Sequence, residues 1–285
     1  MEFHELNLKK LDKDLSEEEK TEWNGIYASY RSKSILTSQA AGPELFRDPK
    51  HPELAASEEC LAVIGYRVKI VIPERELWLD HEKRPAYVLN SMVGAEVDYV
   101  ITYIDRENGW CVASRKLALL IRRRQTRKNP PAVGELIPCR IIAPGRHHVL
   151  MTYGGYDISV LPKDMTYTMM PDLRERFHTN EVHMAVVKQF DVPNNSISVS
   201  VKDAQPHPFD GADIRHPVKC RRAAVIGGKY GGIIFCRLEE NLDCLCTYSE
   251  NKYDADFNIG DQVIVIITRY NYEKKQIYGK IIAKW

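Results

Sequence analysis

The chain has 285 residues, carries 40 Lys and Arg against 39 Asp and Glu for a formal net charge of +1, and is 44% hydrophobic. At roughly 100–200 residues per domain this suggests two domains or three small ones, and near-neutrality excludes a bulk basic protein, so a polyanion would have to be held by local patches. No apolar run of ~18 residues is available to cross a membrane, and the first fifteen residues, MEFHELNLKKLDKDL, are charged throughout without an apolar signal core, which points to the cytoplasm and away from membranes.

The N-terminus, residues 1–33, reads as a helical segment. Ser16-Glu17-Glu18-Glu19 is a capping-box pattern, and Trp23, Ile26, Tyr27 and Tyr30 follow at i, i+3, i+4 and i+7 as one apolar stripe. Eight acids and four lysines fall in the first 24 residues, so this end should be repelled by nucleic acid and should pack its stripe on the next domain.

Beyond residue 34 the pattern changes to short alternating or apolar runs between turn residues. They lie at 34–39, 60–66, 68–72, 97–104, 137–143, 149–153, 182–190, 263–270 and 277–282. Many short strands with few helix-length patterns imply barrels or sandwiches rather than a parallel sheet. Seven cysteines are odd in number and lack paired CxxC knuckles, so buried thiols in a reducing compartment are favoured over a zinc site.

An internal repeat organises these strands. GAEVDYVITYID (94–105), NEVHMAVVKQFD (180–191) and GDQVIVIITRYN (260–271) superimpose, and Ser114, Ser200 and Lys280 each follow the closing Asp or Asn by nine residues. Upstream of the three long strands sit Val71-Ile-Pro-Glu-Arg-Glu-Leu77, Val160-Leu-Pro-Lys-Asp-Met165 and Cys246-Thr-Tyr-Ser-Glu250. One unit therefore occurs three times.

This order of strands, an "IPxxE" or "YSE" segment, a "GDxVxVxVxxxD" strand and a final strand resembles the S-one domain, the OB-fold RNA-binding repeat of the largest small-subunit ribosomal protein. The third unit carries the fullest match, with the Gly227–Gly232 stretch expected as a glycine-rich turn between two strands and with Tyr248-Ser249-Glu250, Gly260-Asp261 and Gln276-Ile277 in place. The set also resembles S-one-like proteins of bacterial mobile elements. The resemblance implies a mainly β chain of three tandem five-stranded OB-fold barrels preceded by an N-terminal helix: 34–128 with polar insertions at 43–59 and 80–91, 133–205, and 216–285. Residues 122–131 read as a charged linker after a short helix at 117–121, and 203–217 as a second connector.

Single-strand binding needs cations along the backbone path and rings on which bases stack. Between Arg115 and Arg146 there are nine Lys or Arg and one acid, centred on Arg122, Arg123 and Arg124, a run that could equally be a solvated face. In the third unit Tyr230, Phe235 and Tyr248 fall on or beside the strands that form the S-one binding face, with Arg222, Lys229 and Arg237 near them; Thr247 stands where that family commonly has His. The corresponding regions supply Arg146, His148, Tyr153, Tyr156 and Lys202 in the second unit and Tyr66, Arg67 and Lys69 in the first. Core packing competes with stacking for each ring. His147 and His148, adjacent on a hairpin, cannot converge on one ion. No Walker loop, HExxH or GxSxG motif is present, so no catalytic residue, metal site or cofactor is assigned.

The expected function is non-enzymatic binding of single-stranded RNA by phosphate neutralisation and base stacking. The alternatives are a degenerate OB-fold scaffold for protein–protein interaction and single-stranded DNA binding in a mobile element, and a ribosome or a protein is a further partner that the resemblance allows.

Overall fold

The capping box forms as the sequence dictates. Ser16 Oγ accepts from the Glu19 amide at 3.3 Å while Glu19 Oε2 accepts from the Ser16 amide at 2.8 Å, starting helix α1 (Glu17–Ser32). The computed structural model describes residues 16–46, 58–65, 67–79, 84–85, 87–191, 194, 196–239, 242–250 and 252–285. Trp23 and Ile26 of the expected stripe are buried, but Tyr30 is exposed and Ser29 replaces it on the packed face. Ser29 Oγ accepts from the Ile101 amide at 3.0 Å and donates to the Ser34 carbonyl at 2.7 Å, which a phenol ring at that position could not do.

Strands β1 (Leu36–Phe46), β2 (Glu58–Ile64), β3 (Lys69–Pro73), β4 (Glu96–Asp105) and β5 (Trp110–Ser114) close into a barrel in the order β1-β2-β3-β5-β4. Only the β3–β5 pair is parallel; this is the five-stranded Greek-key arrangement of an OB-like barrel. Helix α2 (Tyr87–Ser91) precedes β4. The stretch 43–59, which the sequence suggested as insertion, supplies the end of β1 at 43–46 and the start of β2 at 58–59, and its residues 47–57 lie outside the described residues.

The second set, β6 (Leu136–Pro144), β7 (Val149–Tyr153), β8 (Tyr156–Val160), β9 (Val182–Asp191) and β10 (Ser196–Ser200), keeps the same neighbours in the order β10-β9-β6-β7-β8 but stays open between β8 and β10. Helix α4 (Pro162–Met165), which follows β8, bonds to that edge through the Val201 amide and the Asp164 carbonyl at 2.8 Å. Arg146 and His147 form the β6–β7 turn, closed by the Gly145 amide on the His148 carbonyl at 3.0 Å.

The third set, β11 (Arg221–Tyr230), β12 (Ile233–Glu239), β13 (Leu242–Tyr248), β14 (Gln262–Asn271) and β15 (Gln276–Lys284), closes in the order β11-β12-β13-β15-β14. It is preceded by the short α5 (Ala212–Arg215). Its interior holds Ile226, Ile234, Cys236, Cys244, Cys246, Val263, Val265, Ile267, Ile277 and Ile281, the alternate residues of each strand. The chain reverses only at Gly231 and Gly232, whose φ values of +58° and +78° suit a two-residue hairpin turn. Gly227 and Gly228, expected in that turn, lie instead inside β11.

Residues 122–126 are helical rather than linker: α3 spans Arg115–Thr126, capped by the Ser114 side chain on the Leu117 amide, with Arg123 and Arg124 in its last turn. Arginines are good helix formers and their charge complements the helix C-terminus. The chain divides into two compact units. One holds the described residues up to Pro130 with Ile141–Ala143 and Gly154–Tyr156, and the other holds Pro131–Arg140, Pro144–Tyr153 and Asp157–Trp285, so the third barrel and most of the second share a unit.

Candidate nucleic-acid interface

The outer face of the third barrel is built by strand register. Phe235 pairs with Gly228 on one side and Leu245 on the other, Leu245 pairs with Tyr278, and Tyr278 pairs with Arg269. Residues opposite one another on neighbouring strands share a face. The sequence neighbours of Phe235, Leu245 and Tyr278 are buried in the barrel while these three are half-buried and Arg269 is exposed, so the row Gly228–Phe235–Leu245–Tyr278–Arg269 faces outward across all five strands. The Arg269 guanidinium lies 4.5 Å from the Tyr278 ring centre, and Thr247 and Lys280, partners in the adjacent row, are exposed beside it. Two rings, an aliphatic step between them and two cations supply the flat faces that base stacking needs and the charges that phosphate neutralisation needs.

Of the residues singled out in the sequence, Phe235 belongs to this row. Arg237 lies on the same face, paired with Asp243, and donates to the Met169 carbonyl at 3.1 Å. Tyr230 stands at the hairpin tip, 76% exposed. Tyr248 and Lys229 meet elsewhere: the Tyr248 hydroxyl donates to Asp254 at 2.6 Å, its ring stacks on Phe257, and Lys229 Nζ donates to the Asp254 and Phe257 carbonyls at 2.8 and 2.6 Å. Burial and the Asp254 carboxylate push the Tyr248 phenol well above its ordinary range. Arg222 donates to His216 Nδ1 and to the Arg215 carbonyl.

In the second set, Arg146 is exposed and donates to the Pro171 carbonyl at 3.3 Å, His148 and Tyr153 are half-buried, and Lys202 lies 5.1 Å from the Tyr167 ring centre. Tyr156 is buried, with the Arg123 guanidinium 4.4 Å from its ring centre. Arg123 itself is 2% exposed and donates to the Gly155 carbonyl at 2.8 Å; the basic run therefore splits, because one guanidinium is inside while Arg124 is exposed and Arg122 pairs with Asp98 at 2.8 Å. In the first barrel Arg67 pairs with Glu19 at 2.7 Å, Lys69 pairs with Glu44, and Tyr66 lies outside the described residues.

Tyr278 and Arg269 escaped the sequence reading. The signal available was the alternation of the last two strands; what joins them to Phe235 is cross-strand register, which no single stretch of sequence carries.

Six of the seven cysteines are buried. Burial pushes the Cys111 and Cys139 thiols up to about 12, and the Cys236 and Cys244 side chains, then burial, hold Cys246 protonated inside the third barrel. Among the described residues no group of three or more His, Cys, Asp or Glu is placed to hold a metal ion, and no helix is long and apolar enough to cross a membrane.

No protein-family model matches the chain, and no curated protein matches it. Among solved structures it is similar to a multidomain protein with nucleic acid binding domains from Streptococcus pneumoniae, at 10% identity and a TM-score of 0.21 over 88% of this chain and 73% of that one. It is also similar to Drosophila Unr CSD456, at 12% identity and a TM-score of 0.19 over 88% of this chain and 97% of that one.

Proposed function

We propose that the chain binds single-stranded RNA, without catalysing a reaction on it, through its OB-like barrels. The observation that carries this reading is the outward row Phe235–Leu245–Tyr278–Arg269 on a closed five-stranded barrel. Rings in such a row accept any base, so sequence discrimination is weak, and the cations make affinity salt-sensitive. Tyr230 at the hairpin tip extends the surface, and the exposed Arg124 and Lys128 of the basic run offer further phosphate contacts.

Fluorescence anisotropy with a labelled oligo-U strand tests the reading. Binding at low salt that falls steeply as salt rises supports it; no binding at low salt sinks it. The same titration with oligo-dU separates RNA from DNA, because the two strands then differ only at the 2′-hydroxyl.

A second reading, a protein-binding scaffold, is favoured by one feature of the second set. Leu136 pairs with Val186, Pro138 with Met184 and Arg140 with Val182, and Leu136, Met184 and Val182 are all exposed. An apolar strip of this kind on a sheet face suits a protein contact. A protein complex lost on Met184→Lys, in a chain that binds no oligo-U, would favour the scaffold.

A further inference from the structure

The outward row of the third barrel does not end freely at Gly228. Residues 166–171, which leave α4 in the second set, run onto it. The Met169 amide donates to Asp243 Oδ2 at 2.6 Å, and the Met169 carbonyl accepts from Arg237 Nη2 at 3.1 Å. Asp243 and Arg237 are direct partners on β13 and β12, so one cross-strand pair reads both backbone groups of one residue. The Met169 side chain needs the glycines beneath it. A Cβ on Gly228 would lie 2.7 Å from Met169 Cγ, and one on Gly227 would lie 3.3 Å from the Met169 carbonyl oxygen. Met169 thus takes the ground next to Phe235, the strand partner of Gly228.

The segment is held in shape on its own side. The Thr166 and Thr168 hydroxyls are 3.0 Å apart, and the Thr168 amide donates to Thr166 Oγ1 at 3.2 Å. The dock is under-used on the barrel side. Asp243 Oδ1 and Arg237 Nε are buried with no hydrogen-bond partner, so an acceptor and a donor remain that another occupant could satisfy, and unmade bonds at buried polar atoms disfavour the docked arrangement.

We propose that residues 166–171 form a strap that occupies one end of the third barrel's outer face, and that single-stranded nucleic acid reaches Gly228, Phe235 and the Arg237–Asp243 pair only when the strap lifts. The strap is an intramolecular competitor: it offers a main-chain amide, a carbonyl and a thioether where a ligand would offer base-edge donors and acceptors and a ring. This inference rests on the nucleic-acid reading of the face.

A reversible lock tests it. The added Gly228 Cβ would be 3.8 Å from Met169 Cβ, within the roughly 3.5–4.5 Å that a disulfide spans, so the double variant Met169→Cys/Gly228→Cys can tie the strap down under oxidation and free it under reduction. With the 169–228 bridge verified by peptide mass spectrometry, the oxidised protein should bind labelled oligo-U at least about fivefold more weakly than the same protein reduced, which is the worth of one lost base stack. Wild-type protein should be indifferent to the oxidant. Equal affinity of the bridged and reduced forms overturns the strap while leaving the RNA reading standing, whereas a wild-type chain that binds no oligo-U overturns both. Should the double variant not fold, hydrogen exchange at the Met169 amide of the unaltered chain decides: exchange that quickens when oligo-U is bound supports lifting, and unchanged or slower exchange overturns it.

Discussion

In the first barrel the positions equivalent to Phe235, Leu245, Tyr278 and Arg269 are Ala62, Val71, Val112 and Tyr103, joined by the same register across β2, β3, β5 and β4. There the row is sealed. Ala62, Val71 and Val112 are 4%, 2% and 5% exposed, Phe46, Tyr103 and Trp110 pack on the Val71–Val112 cluster, and Trp110 meets Phe46 and Tyr103 at ring-centre distances of 5.4 and 5.6 Å. The second set puts Gln189 opposite Ser198 at this place. One fold thus yields a small core, a polar pair or a half-open aromatic surface, and the choice is made by the residue facing out at each alternate position. The next row reverses the contrast. The first barrel leaves Ile64 and Lys69 exposed as partners, whereas the third covers their counterparts Arg237 and Asp243 with Met169.

The sealed row gives the largest expected effect. Val71→Asp places an unpaired carboxylate among apolar side chains and should destabilise the chain by several kcal/mol, read as a fall in the urea midpoint. Leu245→Asp, at the equivalent but half-open position, should lose no more than about 1–2 kcal/mol because water can reach the carboxylate. Equal losses at the two positions would break the comparison.

Asp243 marks how far the third barrel's face is closed. Burial raises its carboxyl to about 6, with the Met169 amide and the Arg237 charge, the groups that face it, only partly opposing the rise. A carboxyl whose folded pKa lies above its unfolded 3.8 takes up a proton on folding, so folded stability grows as pH falls from above 6 toward 4 and the ionised form is penalised at neutral pH. The difference in unfolding free energy between the chain and Asp243→Asn should therefore change across pH 4–7 by at most roughly 2–3 kcal/mol. A difference that stays flat would mean that water reaches this carboxylate.

Tyr278→Ala should weaken oligo-U binding by the ~1–3 kcal/mol of a lost base stack. Trp110→Ala, which removes a half-buried ring that seals the outer face of the first barrel, should change unfolding and leave oligo-U affinity as it was. If both variants lose affinity alike, both barrels bind and the sealed row is not what it looks like.

What could be read in the sequence was whatever local chemistry determines. The Ser16–Glu19 cap and the three repeated strands are set by residues a few positions apart, and the glycine-rich turn read over 227–232 narrows to Gly231-Gly232 because Gly227 and Gly228 belong to a strand. The second set's open edge and the Met169 strap depend on contacts between segments far apart in the chain, such as Met169 with Asp243. The arginine run shows the same limit: charge alone gave Arg122, Arg123 and Arg124 one role, but their helical spacing sends Arg123 inward onto Tyr156 and leaves Arg124 outside. Tyr230, Phe235 and Tyr248 are equally aromatic in the sequence, yet Tyr248 is tied to Asp254 and Phe257 while Phe235 faces out.

The smallest effect separates charge from ring at the end of the row. Arg269 covers the face of Tyr278, so it can serve a bound strand in two opposing ways: its charge neutralises a phosphate, and its guanidinium occupies a surface that a base could take. Arg269→Gln removes the charge and loosens the stack. The slope of log affinity against log salt should then become shallower by about 0.7, the value for one phosphate contact on a single strand. At high salt, where counterion release contributes little, the variant should bind as well as the wild-type chain or better, because the ring is uncovered. The two salt titrations should accordingly converge or cross. An unchanged slope would show that Arg269 only packs on Tyr278, leaving Lys280 as the cation of that face.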